Sequence, residues 1–167
     1  MPSVPKPLLW AWAVTTAALY GVLAYGSYVT MPSLAGGMLG FDMRPLGMNA
    51  SDGATYMAAM TDAGRLYYLT WLKPLDTAFI AALVVLGVAL SRTFDGRLLW
   101  MSVVAALVYG VMDLAENQMV ASLMKEAQGG SDPEFALIAW ATRSKFAAIA
   151  VMALTLLAQW RRSPRHG

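Results

Sequence analysis

Apolar residues along this chain gather into four long runs, 8–29, 69–90, 98–123 and 135–160, with the polar residues concentrated between them. A helix rises 1.5 Å per residue and a bilayer's hydrocarbon core is about 30 Å thick, so each run is long enough to cross as a helix. The short polar segments 91–97 and 125–134, the latter holding Gly129-Gly130 and Asp132-Pro133, leave consecutive runs as antiparallel neighbours. The predicted fold is therefore all-α: an integral-membrane four-helix up-and-down bundle, one transmembrane domain over 1–167, with a long extracytoplasmic loop between helices 1 and 2.

The first run follows a Pro-rich leader, 1–7, and carries Trp10 and Trp12 at one end and Tyr25 and Tyr28 at the other, as an interfacial aromatic belt would. A cleaved signal peptide is the rival reading, but the run exceeds the usual 7–15-residue signal core and no small-x-small site follows it. The loop 30–66 opens on Met31-Pro32-Ser33 and a glycine-rich patch ending at Gly40. Ser51 or Asp52 can cap a short helix presenting Tyr56, Met57 and Met60 and ending near Gly64. A loop this long in so small a chain reads as a packed cap over the bundle mouth or on the membrane surface, with a mobile linker as the alternative. Pro74 suits the first turn of the second span, which starts around Trp71 and Lys73.

Composition supports the membrane reading. Residues are 58% hydrophobic and 13% charged with a mean hydropathy of +0.52, against roughly a quarter charged in soluble domains. The net charge of +2 forms no basic face, so nucleic acid is not an expected partner. Without cysteine there is no thiolate chemistry, and the only histidine, His166, lies beyond the last span, so no cofactor and no metal is expected. Lys6, Arg92, Arg97, Arg161, Arg162 and Arg165 fall on one side of the predicted bundle, and Arg44, Arg65 and Lys125 on the other. The positive-inside bias then puts both termini in the cytoplasm of a multi-pass inner-membrane protein, with the loop outside.

The candidate chemistry lies in the charges within the spans. Asp113, Glu116 and Asn117 fall at i, i+3 and i+4 and share a helix face. Asp76 lies seven residues into the second span, about 10 Å; Glu116 and Asp113 lie seven and ten from the outer end of the third, about 10 and 15 Å; Arg143 and Lys145 lie eight and ten into the fourth, about 12 and 15 Å. Charged side chains at membrane depth are costly and normally face the bundle interior with a partner, so these groups are expected to meet in one layer of the outer half. Asp113, Glu116 and Asp76 are candidate acid/base groups, and Asn117, Arg143, Lys145, Lys73 and Tyr109 candidate binding groups, with Thr77, Thr142 and Ser144 as further hydrogen-bonding side chains. A divalent ion on Asp76, Asp113 and Glu116 is disfavoured by the two cations beside them. The same layer can be read as a structural ion-pair network that sets helix register, or as a proton relay, for which the inner half supplies few polar steps. The functional reading is a polar cavity that binds or processes a lipid or small amphiphile. A non-catalytic accessory subunit of a membrane complex is the alternative, and the expected partners are the bilayer, such a ligand, and a membrane-protein partner or second copy. The twelve methionines read as gap-filling side chains.

Asp113-Leu114-Ala115-Glu116-Asn117, Lys73-Pro74-Leu75-Asp76 and Lys145-Phe146 together resemble a group of small four-span bacterial inner-membrane proteins of unassigned function. The architecture is also similar, more loosely, to the four-span sterol-isomerase and sigma-2-receptor type, which implies a bundle with buried acids around an apolar ligand. This chain departs from that type in lacking a histidine within a span and in adding Arg143 and Lys145.

Overall fold

Two prolines shape the first half of the bundle. Helix α1 (Lys6–Leu34) and helix α3 (Asp62–Ser91) each contain one turn widened to π geometry, Gly26–Thr30 and Tyr68–Leu72, and Pro32 and Pro74 follow these turns by the same spacing. Proline has no N–H and its ring crowds the carbonyl four residues back, and a widened turn relieves that conflict without ending the helix. The computed structural model describes residues 5–94, 96–126 and 130–162, the last without its side chain. Most of the leader, Asp95, Gly129, Arg165 and His166 lie outside the described residues.

Because the helices pass through their prolines, the loop is shorter than the apolar pattern predicts. Met31 and Pro32, read from the sequence as loop, belong to α1, and α3 begins at Asp62 behind a Thr61 cap whose hydroxyl accepts from the Gly64 N–H at 3.1 Å. Within the remaining loop, helix α2 (Ala50–Ala59) is capped by Asn49, whose Oδ1 accepts from the Asp52 N–H at 2.7 Å, in place of the expected Ser51 or Asp52. It stops at Ala59 and does not reach Gly64. Helices α4 (Arg97–Lys125) and α5 (Asp132–Arg162) complete the fold. Ser131 N–H and hydroxyl both donate to Glu134 Oε2 at 2.7 Å, so the Glu134 carboxylate reaches back to cap the start of α5.

Neighbours in sequence are neighbours in space. Trp12 Nε1 donates to the Ala82 carbonyl at 2.9 Å and the Tyr20 and Phe79 rings lie 5.6 Å apart, pairing α1 antiparallel with α3. Ser91 and Ser102 hydroxyls meet at 2.7 Å where α3 ends and α4 begins, and α4 packs along the length of α5. The two wide turns touch: a Cβ on Gly26 would stand 2.8 Å from Leu72 Cδ1 and would have to push that side chain aside. Helices α1 and α5 have no comparable contact, and the row of four helices is left open between its first and last members.

The loop closes one end of the bundle. Phe41, Met48, Tyr56 and Met57 are buried there with Leu123, Phe135 and Ile138, and the Phe41 ring lies 5.3 Å from Tyr56 and 6.0 Å from Phe135. Burial of such side chains contributes on the order of 1.5–3 kcal/mol each. Arg65 ties the cap down, donating to the Leu123 and Met124 carbonyls at 3.4 Å and to the Met57 carbonyl at 3.1 Å. The cation thereby supports the last-turn carbonyls of α4, of which that of Leu123 also accepts from the Glu126 N–H at 3.2 Å.

Candidate functional site

The face shared by Asp113, Glu116 and Asn117 turns inward, and all three side chains are buried. On α5, Thr142 and Lys145 stand three residues apart and face them. Lys145 Nζ lies 2.6 Å from Asp113 Oδ1 and 2.5 Å from Glu116 Oε2, so one ammonium bridges two carboxylates. The Thr142 hydroxyl is 2.8 Å from Glu116 Oε1. On the other side of α4, Asn117 Nδ2 donates to Asp76 Oδ2 at 2.5 Å, and its Oδ1 accepts from the Tyr68 hydroxyl at 3.4 Å. Helices α3, α4 and α5 are thus joined through one polar layer. Ion pairs buried away from water survive only when geometry and added hydrogen bonds offset lost hydration, and both conditions hold here.

Two expected members are elsewhere. Arg143 is exposed on α5, and its Nε donates to the Leu46 carbonyl of the cap at 2.7 Å. The reason is rotational: Thr142 and Lys145 share a face, and a helix turns about 100° between Thr142 and Arg143. Equal depth brought Arg143 into the predicted layer, but direction takes it out. Lys73 Nζ donates to Gln118 Oε1 at 2.9 Å, and Gln118 lies on the exposed side of α4. Thr77 and Ser144 also stay out, the former bonded to the Lys73 carbonyl of its own helix at 2.9 Å and the latter beside an outer groove between α4 and α5.

Asp42, which no periodicity in the sequence singled out, enters the centre from the cap on the turn Phe41–Met43. Burial pushes its carboxyl above the ordinary value of 3.8; the Lys145 ammonium opposes that shift and Asp113 reinforces it. Asp42, Asp76, Asp113 and Lys145 form the polar wall of a cavity of about 370 Å³. Tyr20 and Tyr28 of α1, Phe79 of α3 and Tyr109 of α4 supply an aromatic wall, and Phe146 and Ile149 of α5 complete the side facing α1. The cavity therefore sits where the row of helices is open. Beside it a void of about 10 Å³, room for one water, is lined by Ser27, Asp42, Tyr68, Glu116 and Asn117. Ser27, 2% exposed, comes from the wide turn of α1, and its hydroxyl has no hydrogen-bond partner among the described residues. A lone serine in an apolar run carries no signal of this placement.

Among the described residues, four helices are long and apolar enough to cross a membrane, which suggests a multi-pass membrane protein. No protein-family model matches the chain, and no curated protein and no solved structure matches it. Among the described residues no three His, Asp or Glu side chains are grouped so as to hold a metal ion.

Proposed function

We propose that this is a bacterial inner-membrane protein, with both termini cytoplasmic, that binds a small amphiphilic or lipid-like molecule in the outer half of its bundle. The observation that carries the reading is the cavity of about 370 Å³, lined by charged and aromatic side chains together and placed at the open side between α1 and α5. A head group can reach Asp76, Asp113 and Lys145 while its chain leaves toward lipid, and ligand sites of this kind combine a largely apolar lining with a few convergent polar groups. A purely structural ion-pair network needs no such space. An accessory subunit would use the layer dry or against another chain, and the cavity favours binding over that alternative. If the bound molecule is also processed, Asp113 and Glu116, both in contact with Lys145, are the groups placed to exchange a proton with it.

The test is saturable binding of single-chain dodecyl amphiphiles to the protein in lipid nanodiscs, with empty discs subtracted. We expect Asp113→Asn and Glu116→Gln to keep the helical content of the wild type and to weaken binding by about tenfold or more. Wild-type binding in both folded variants overturns the proposal.

A further inference from the structure

The charges around the cavity do not balance. Asp42, Asp76, Asp113 and Glu116 converge on it or on the adjoining void, and Lys145 is the cation they share. That ammonium is paired with Asp113 and Glu116, lies 5.8 Å from the centre of the Phe146 ring, and acts on Asp42 only beyond ion-pair distance. Other cations nearby are engaged outside: Arg143 on the Leu46 carbonyl, Lys73 on Gln118, and Arg44 on Asp52 at 3.2 Å. Among the described residues, no cation lies within ion-pair distance of Asp76 or Asp42. Asp76 holds only the neutral amide of Asn117, on one of its two oxygens.

Two further observations point to an occupant. Tyr20 and Tyr28 of α1 line the cavity with Phe79 and Tyr109, which stand one turn from Asp76 and Asp113 on their own helices, and aromatic ring faces attract cations. The buried Ser27 hydroxyl, unpartnered among the described residues, opens onto the void that shares Asp42 with the cavity, leaving a polar group ready for a water beside the head group. An anionic head would face the acid wall at close range, and a neutral one would leave its surplus charge unmet.

Resting on the binding reading above, we infer that the ligand is an amphiphile with a positively charged head group, an ammonium or similar cation, and that Asp76 is its counter-ion with Asp42 behind it. The head lies between the acid wall and the tyrosines, and the chain runs out between α1 and α5. Lys145 acts differently, holding Asp113 and Glu116 in place and keeping the cavity from carrying the full negative charge of four acids.

The experiment compares dodecyltrimethylammonium, dodecyl sulfate and dodecyl maltoside as titrants of the full chain in nanodiscs of zwitterionic lipid. We expect the ammonium to bind saturably and about tenfold or more tighter than the other two. Asp76→Asn weakens the ammonium by about tenfold, Asp76→Glu retains it, and the exposed cap variant Asp52→Asn leaves it unchanged. Should Asp76→Asn fail to fold, Asp42→Asn carries the test, with an expected loss of about threefold. Equal or tighter binding of the sulfate or the maltoside, or an ammonium affinity untouched in folded Asp76→Asn, overturns the inference and leaves amphiphile binding standing. Absence of saturable binding by all three titrants overturns both.

Discussion

At the scale of single residues, direction matters as much as depth. Lys145 and Arg143 are two positions apart, yet one is buried between two carboxylates and the other reaches out to a loop carbonyl. The helical period alone separates them once Thr142 is known to face inward, so this distinction was available in the sequence in principle. Asp42 was not, because a loop has no period to read. Its raised affinity for protons has a measurable consequence. Folded Asp42 binds a proton more tightly than the unfolded carboxyl does, so the native turn holds more protons across the interval from 3.8 up to the raised value. Local stability is therefore greatest on the acid side and falls as pH rises through that interval. Amide exchange over residues 41–44, corrected for intrinsic rates, is expected to show more protection on the acid side than at about pH 8. The difference should disappear in Asp42→Asn, and an equal pH dependence in that variant would show that another group is responsible.

At the scale of elements, the apolar runs marked the helices, and at the capped end α1 and α3 continue several residues past them. Pro32 and Pro74 were the reason. A proline inside a helix ordinarily ends or kinks it, whereas here each is absorbed by a wide turn, and the two turns pack against each other through Gly26. The cap depends on a second glycine. Gly47 has φ +76°, and a Cβ there would stand 2.7 Å from the Ala139 Cβ and 2.9 Å from its Cα. Gly47→Ala combines left-handed strain with a clash against α5 and should cost about 1–3 kcal/mol, felt locally. We expect faster protease cleavage within 35–61 and an unchanged signal from the spans. Wild-type cleavage rates would mean that the loop is not held down at this point. Because Leu46 is next to Gly47, the Arg143 contact should loosen with it.

At the scale of the whole molecule, the polar layer has two separable roles. It joins α3, α4 and α5, and it lines a cavity on the open side of the bundle. Lys145→Met leaves two buried carboxylates facing each other and should destabilise the protein by about 3–5 kcal/mol. Replacing Asp113, Glu116 and Lys145 together by leucine removes the charges as a set and should be neutral or stabilising by about 1–4 kcal/mol, as found when buried ion clusters give way to apolar packing. Unfolding in mixed micelles reads both values. The triple variant should also lose amphiphile binding while remaining folded. If it binds as wild type does, Asp113, Glu116 and Lys145 are structural only and the ligand owes nothing to their charges.

The four long apolar helices and their antiparallel order were determined by the sequence alone, because the length of an apolar run and the shortness of a connector are properties of consecutive residues. The level at which Asp76, Asp113, Glu116 and Lys145 meet was legible for the same reason: helical rise converts residue number into depth. Only the tertiary structure decided which charges face one another, that Asp42 and Ser27 join them, and that α1 and α5 leave the cavity open. Those outcomes depend on helix rotation, on two widened turns and on how a non-periodic loop folds back, and each is settled by packing between residues far apart in the chain.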